Sequence, residues 1–241
     1  MASTFLELTN EVLVRLNEVT LPVTGDGFTS VRNVQALAKQ AVNNSVRNIL
    51  QTGQEWPFLK TTVTQNTAAG QSLYDFTADY SVADWETFYL TKSDINSPLS
   101  LSSITYSDYV QRYRTMDDNG PTTGIASPSL VYQTNERKFG LTPTPNAIYT
   151  VEYVYWFFPA DLIDYNDTVV IPDRFKHVIV DGAMMYMMRF RSNDQSAAMH
   201  QDNLNKGIKL MQRVLTDDTL RVRSTVISNT SSSNQILGRV S

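Results

Sequence analysis

Residues 148–158, IYTVEYVYWFF, carry the reading that decides the fold. Tyr149, Val151, Tyr153, Tyr155 and Phe157 fall on one side of a two-residue period and Thr150 and Glu152 on the other, the pattern of a strand with one buried face. An aromatic face of this width has to be covered, by a second sheet, a helix or another subunit. Upstream, the period of two reaches back to about residue 59. Residues 61–65, a turn at 66–70 and residues 72–76 predict a hairpin with a longer loop. Residues 85–91 alternate, 93–98 predict a loop, and 99–105 a further strand. Ser107 is placed to cap a short helix over 107–114 that shares Tyr109, Val110 and Tyr113 on one face. Residues 116–128, rich in glycine and proline and containing Asp117, Asp118 and Asn119, predict an exposed loop. Residues 130–133 and 138–142 form a second hairpin about Asn135-Glu136, ended by Pro143 and Pro145.

On both sides of this β-rich middle the period changes to that of a helix. Thr4 and Glu7 make a capping box, followed by Phe5, Leu8, Val12, Leu16 and Val19 at helical spacing. After the turn Gly25-Asp26-Gly27, Thr29 and Ser30 are candidate caps for a second helix. Its stripes are Val34, Leu37, Ala41, Ser45 and Ile49, beside Val42, Val46 and Leu50. Gly53 offers a C-terminal cap, and Trp56-Pro57 closes the helix because a residue before proline avoids the α region. Helices resume at Pro172, suited to a first helical position. The segment through Phe175, Val178, Ile179 and 182–188 is apolar nearly all round, so it is buried on several sides. Asn193 or Asp194 starts a last helix with Ala197, Leu204, Ile208, Met211 and Leu215 inward and Lys206, Lys209 and Arg213 outward. The expected class is α+β: an antiparallel helical bundle split by an inserted antiparallel β domain. The boundaries are 1–56 for the first helical pair, 57–171 for the β domain, 172–216 for the second pair and 217–241 for an extended arm.

Twelve of the 23 residues 219–241 are Ser, Thr, Asn or Gln, and no acid follows Asp218. Apolar residues come as the pairs Val226-Ile227 and Ile236-Leu237, flanked by Arg221, Arg223 and Arg239. A segment of this kind buries too little to order itself, yet it carries the grips needed for strand addition and charge pairing on a partner. The cluster Met184, Met185, Met187 and Met188 has two readings, filling of the chain's own core or packing against a second subunit.

The chain has 241 residues, 41% hydrophobic and 18% charged, which is the balance of a globular protein of one large or two modest domains. Its longest apolar run, near 178–188, is interrupted by Asp181 and is too short to span a bilayer. The start of the chain lacks the basic and apolar pattern of a secretion signal. Without cysteine there is no disulfide framework, thiol nucleophile or thiolate metal site. A formal charge of −4 argues against general affinity for nucleic-acid backbones and leaves room for transient contact with passing DNA.

Catalytic chemistry finds no footing. His177 and His200 lack a second ligand nearby in sequence, and Asp161, Asp164 and Asp167 match no calcium-loop spacing. Gly25 and Gly27 are not followed by the Lys and Ser/Thr of a phosphate loop, and no serine sits in a nucleophile elbow. The expectation is a protein without catalytic residues, metal or cofactor.

The order of features resembles a known family. EWPFL at 55–59, SLYDFTADY at 72–80, SLVYQTNERKFGLTPTPNAIYTVEYVYWFFPADL at 129–162 and VVIPDRFKHVIVDGAMMYMMRF at 169–190 together resemble the head-to-tail adaptors of short-tailed bacteriophages, also called tail tubular protein A or connector proteins. The shared pattern is a strand ending in Pro143-x-Pro145, an aromatic strand, a turn from Pro159 to Leu162 and a helix led by Pro172. The resemblance implies a structural virion protein of the tail or neck, assembled in the host cytoplasm. It also implies a homo-oligomeric ring, commonly of about twelve copies, between the portal protein and the tail nozzle protein, with a channel for genome ejection. In such proteins the C-terminal arm reaches the portal or a neighbouring subunit, which gives Arg221, Arg223, Val226, Ile227, Ile236, Leu237 and Arg239 a partner-binding role. The loop at Asp117, Asp118 and Asn119 is a candidate to face the nozzle, and Glu7, Glu11 and Glu18 are candidates for a negative wall toward DNA. Competing readings are a fibre or receptor-binding tail component, a tail-associated hydrolase and a monomeric small-ligand domain.

Overall fold

A computed structural model of the chain describes residues 3–22, 28, 31, 33–52, 55–92, 95–117, 125–134 and 137–215. Helix α1 (Phe5–Arg15) opens with the expected capping box: Glu7 N–H donates to Thr4 Oγ1 at 3.2 Å, and Thr4 N–H donates to Glu7 Oε2 at 3.1 Å. Its first two orphan donors are also satisfied, Phe5 N–H by Asp167 O at 2.8 Å and Leu6 N–H by Tyr165 O at 3.1 Å. Phe5, Leu8, Val12 and Leu16 are buried as the stripe predicts, whereas Val19 is 78% exposed. The helix stops at Arg15 and Asn17 turns left-handed at φ 56°, which ends the period before Val19.

Helix α2 (Val34–Leu50) begins at Asn33, so its start lies later than the Thr29 and Ser30 caps expected; those residues, Gly25 to Gly27 and Gly53 lie outside the described residues. Trp56 closes the helix in extended conformation, and its indole N–H donates to Ile49 O at 3.1 Å. A 3-10 turn, Pro57–Leu59, leads into the β region.

The strands are β1 (Lys60–Asn66), β2 (Leu73–Asp75), β3 (Tyr80–Lys92), β4 (Ile95–Ser100), β5 (Ser102–Ile104), β6 (Ile125–Ala126), β7 (Leu130–Gln133), β8 (Lys138–Thr142), β9 (Thr144–Pro145) and β10 (Thr150–Phe157). One sheet has the order β1-β10-β3-β4 and is antiparallel throughout; a second has the order β2-β8-β7-β5, with β5 parallel to β7. A short pair, β6 and β9, is parallel. The expected hairpin of residues 61–65 with 72–76 does not form. β1 pairs with β10 and β2 with β8, because the chain crosses between sheets at 67–70, where Thr67 N–H donates to Tyr149 O and Gly70 N–H to Pro145 O, each at 2.8 Å. Alternation tells a residue which face it occupies and not which strand it meets. Residues 95–98, expected in a loop, are part of β4, an edge strand where Pro98 is tolerated. The β7-β8 hairpin matches its prediction, with Leu130 opposite Thr142.

Strand β10 explains the assembly of the two sheets. Tyr149, Val151, Tyr153 and Tyr155 are buried together with Phe88 and Leu90 of β3 and with Tyr74, Val131, Phe139 and Leu141 from the facing sheet. The aromatic face is therefore covered by a second sheet. On β3 the pairing jumps from Tyr89 opposite Glu152 to Asp84 opposite Val154. Thr87 stitches this irregularity by accepting Val154 N–H on Oγ1 at 3.0 Å. At its far end β10 leaves the sandwich: Trp156, Phe157 and Phe158 pack on the helical core.

Pro172 precedes a 3-10 turn, Asp173–Phe175, and helix α4 (Lys176–Phe190) starts after it, later than a proline at its first position would place it. Before it in sequence, α3 (Tyr106–Arg112) is capped by Thr105 instead of Ser107, and a further helical turn covers Arg114–Asp117. Asn193 caps α5 (Asp194–Leu215), as expected, accepting Ser196 N–H at 3.2 Å. Helix α4 is packed by α1, α2 and α5, which is why it is apolar nearly all round. Gly182 makes the closest approach possible: a Cβ there would lie 2.1 Å from Ser45 Oγ of α2. The β region thus lies between two helical halves that pack on each other.

Candidate functional site

The described residues hold no group of three His, Asp or Glu able to bind a metal, and no described helix is long and apolar enough to cross a membrane. What the fold builds is a set of surfaces and the polar joints that hold them. The first joint lies where α1, α4 and α5 meet. Asp181 Oδ1 of α4 faces His200 Nδ1 of α5 at 3.1 Å and Arg15 Nη1 of α1 at 3.5 Å. Arg15 also pairs with Glu11 at 2.9 Å, and Glu11 with Lys176 at 3.0 Å. His200 and Asp181 are 19 residues apart in sequence, so spacing carried no sign of their contact.

The second joint binds the strand-to-helix connection to α2. Asn43 donates from Nδ2 to Leu162 O at 3.0 Å and accepts Leu162 N–H on Oδ1 at 3.1 Å. One turn along, Arg47 makes a two-point pair with Asp161. Asp167 accepts the N–H groups of Ile163 at 2.7 Å and Asp164 at 2.8 Å. The three aspartates are therefore a turn and an ion pair, in line with the polar-loop reading of the sequence. Beside this joint a groove of about 430 Å³ lies between bundle and sandwich, lined by Leu50, Leu59, Val82, Trp156 and Phe158 with Glu55 among its polar residues.

Burial shifts several groups away from their ordinary titration. The Tyr153 phenol is pushed well above its usual range by burial, with Tyr155, Tyr80 and Asp79 adding to the rise. Desolvation likewise raises Tyr74, Tyr80 and Tyr155. It lowers Lys39, whose Nζ donates to Phe28 O at 2.9 Å and lies 3.8 Å from the Phe28 ring centre, while Asp164 acts the other way. These shifts belong to packed cores and to a tethering lysine, and no cleft converges on them.

The site residues suggested by the sequence fall into three groups. Met184, Met185 and Met187 are buried in the chain's own core, and Met188 is half-buried against it, so three of the four are enclosed before any second subunit arrives. Asp117 ends the helical turn after α3, while Asp118 and Asn119 lie outside the described residues. Arg221, Arg223, Val226, Ile227, Ile236, Leu237 and Arg239 also lie outside them. The three acids of the supposed negative wall are committed locally: Glu7 caps α1, Glu11 pairs with Arg15 and Lys176, and Glu18 pairs with Arg191. Glu11 and Glu18 are offset by cations at short range and Glu7 is tied to the first turn of α1, so a repulsive wall does not follow from them.

Sequence periodicity marked the buried stripes well and passed over what the opposite faces carry. Phe190 is 60% exposed at the end of α4, and Met199, Leu210 and Val214 are about half exposed on α5. The signal was present as apolar residues out of phase with the core stripe of α5.

A family model described as SU10 adaptor protein matches residues 3–227. No curated protein matches the chain. The matched span takes in every described element, from the capping box of α1 to the end of α5, in a structure whose polar groups make joints and whose described residues offer no metal cluster. The chain belongs to the SU10 adaptor protein family and is a structural adaptor of a bacteriophage.

Proposed function

We propose that this protein is the head-to-tail adaptor of a short-tailed phage, forming a ring of about twelve copies between the portal and the tail nozzle and leaving a channel for the genome. The family match over residues 3–227 carries this reading. It is supported by a bundle whose central helix is already enclosed, leaving whole outer helix faces for contact with neighbours. The arm at 219–241 docks on the portal or an adjacent subunit through Val226-Ile227 and Ile236-Leu237 and the arginines Arg221, Arg223 and Arg239. Extended, 23 residues reach about 75 Å at about 3.3 Å each. The matched span reaches 227, which takes in the first apolar pair and two of the arginines. The loop at Asp117, Asp118 and Asn119 is assigned to the nozzle side.

The test is the mass of the protein alone and mixed with its portal protein, by light scattering or native mass spectrometry. A large complex of fixed stoichiometry is expected; a protein that never enters one with the portal refutes the adaptor role. Removal of 219–241 is expected to keep the circular dichroism and melting of the body and to abolish docking. A truncated chain that docks at full affinity removes the arm from the mechanism.

A further inference from the structure

The groove of about 430 Å³ between bundle and sandwich has an apolar wall of Leu50, Leu59, Val82, Trp156 and Phe158. Leu50 and Leu59 are buried, and Val82 is 44% exposed. Glu55 is its one charged lining residue and pairs with no cation among the described residues. Lys60, 5.0 Å from the Trp156 ring centre, is already paired with Asp84 at 3.1 Å. An open apolar recess with an unpaired carboxylate at its edge suits an apolar segment that carries its own cation.

The chain brings such a segment to the spot. A Cβ on Gly182 of α4 would lie 3.3 Å from Leu204 of α5, and one on Gly207 of α5 would lie 2.6 Å from Val178 of α4, so the two helices run antiparallel. Val178 is the third residue of α4, whereas eight residues of α5 follow Gly207. The end of α5 at Leu215 therefore passes the start of α4 by about six residues, or about 9 Å. The groove is at this same end, because Leu50 and Phe158 of its wall also line a small cavity with Ile171, which shortly precedes α4. The described residues end at Leu215, and from there the eleven residues to Val226 span up to about 36 Å when extended.

Residues 219–227, TLRVRSTVI, carry Arg221 and Arg223, no acid, and the apolar pair Val226-Ile227. The family match runs past the end of α5 and stops on Ile227, which sets the segment up to this pair with the body and apart from 228–241. A tether of this length holds the pair at about millimolar effective concentration around the groove.

We propose that in the free subunit the chain's own Val226-Ile227 fills this groove, with Arg223 turned to Glu55. The proposal rests on the reading of 219–241 as a docking arm and adds where the arm waits. One pair cannot hold the groove and a partner at once, so docking exchanges one cover for the other.

The full-length free subunit tests it without the portal. Cleavage by trypsin after Arg223 is followed by mass spectrometry, with cleavage after Arg239 in the unmatched half as the internal reference. Proteolysis tracks the open population, so a groove filled nine-tenths of the time slows the Arg223 cut about tenfold. Val226→Ser/Ile227→Ser is expected to abolish that protection, and Ile236→Ser/Leu237→Ser to leave it intact. Glu55→Lys should lower it about threefold, the scale of one exposed ion pair; no change there removes the arginine from the contact. In this cysteine-free chain, Ser81→Cys/Ser228→Cys joins the groove to the arm. At micromolar concentration its disulfide is expected to form within one chain, and about tenfold faster than in Ile163→Cys/Ser228→Cys, whose residue 163 is 73% exposed outside the groove. Equal rates, or an Arg223 cut as fast as the Arg239 cut, overturn the proposal. So do disulfides of mixed isotope in an equal mixture of ¹⁴N- and ¹⁵N-labelled protein, which would mean that a neighbour's arm fills the groove. None of these outcomes touches the adaptor reading, which fails only if the chain never enters a complex with the portal.

Discussion

Replacing Tyr153 by phenylalanine is expected to make the protein more stable. Tyr153 is fully buried at the centre of the sandwich, stacked on Phe88 at 4.7 Å and edge-on to Phe76 at 5.7 Å and Phe139 at 5.4 Å. Its hydroxyl is sealed from solvent and has no hydrogen-bond partner among the described residues. A desolvated, unpaired polar group costs about 1–3 kcal/mol, while the space left by one oxygen returns several tenths of a kcal/mol through lost dispersion contacts. The net gain is about 1 kcal/mol, or about 2–4 °C in Tm for a chain of this length. The same substitution changes the alkaline limb of stability. Burial holds the phenol protonated above its ordinary 10.0, so the unfolded chain releases a proton that the folded one keeps. That contribution is fully present below pH 10 and is lost as pH rises toward the folded value, because stability falls with pH wherever the native state binds more protons. Tyr153→Phe removes one such proton, and its stability should decline less steeply above pH 10 than that of wild type. Urea unfolding followed by near-ultraviolet circular dichroism at pH 8 and in steps up to pH 11 measures both effects. A loss of 1 kcal/mol or more at pH 8 would refute the reasoning, since it would mean that the hydroxyl makes a favourable contact.

Other consequences follow from close approaches and joints. Gly182→Ala drives a methyl to 2.1 Å from Ser45 Oγ, whose hydroxyl is already bonded to Ile179 O at 2.7 Å, and is expected to cost about 2 kcal/mol in a thermal melt; an unchanged Tm would show that α2 and α4 are looser than described. Gly140→Ala meets the ring of Tyr132 at 2.1 Å, so it should disturb the Tyr132 stack on Tyr109 and reduce the near-ultraviolet signal. Asp181→Ala leaves His200 and Arg15 without their shared partner and should destabilise by about 1–2 kcal/mol, read by chemical denaturation; a neutral result would assign the joint no weight. Thr4→Ala breaks the capping box and is expected to cost about 1 kcal/mol, with Thr4→Ser restoring it.

The extent to which the sequence spoke differs from element to element. The capping box of Thr4 and Glu7, the one-sided aromatic strand and the core stripe of α5 were legible, because each depends on neighbours within a turn or two residues of itself. The near-uniform apolarity of 182–188 rightly announced a helix enclosed on several sides. It said nothing about whether the cover was the chain's own, and the structure assigns Met184, Met185 and Met187 to the chain's own core. Ion pairs such as Asp181 with His200 and Glu18 with Arg191 join residues 19 and 173 positions apart, and no local pattern encodes them.

By itself the sequence determined the class, two helical halves about a β-rich middle, and the inner face of each main element, since a period of 2 or 3.6 reports burial directly. Only the tertiary structure decided that β1 and β2 belong to different sheets, that α4 is the helix the other three surround, and that Glu11 and Glu18 are paired with cations from other elements as well as their own. The physical reason is that periodicity is a property of one segment, whereas strand partners, ion pairs and the exposed side of a helix are properties of which segments meet.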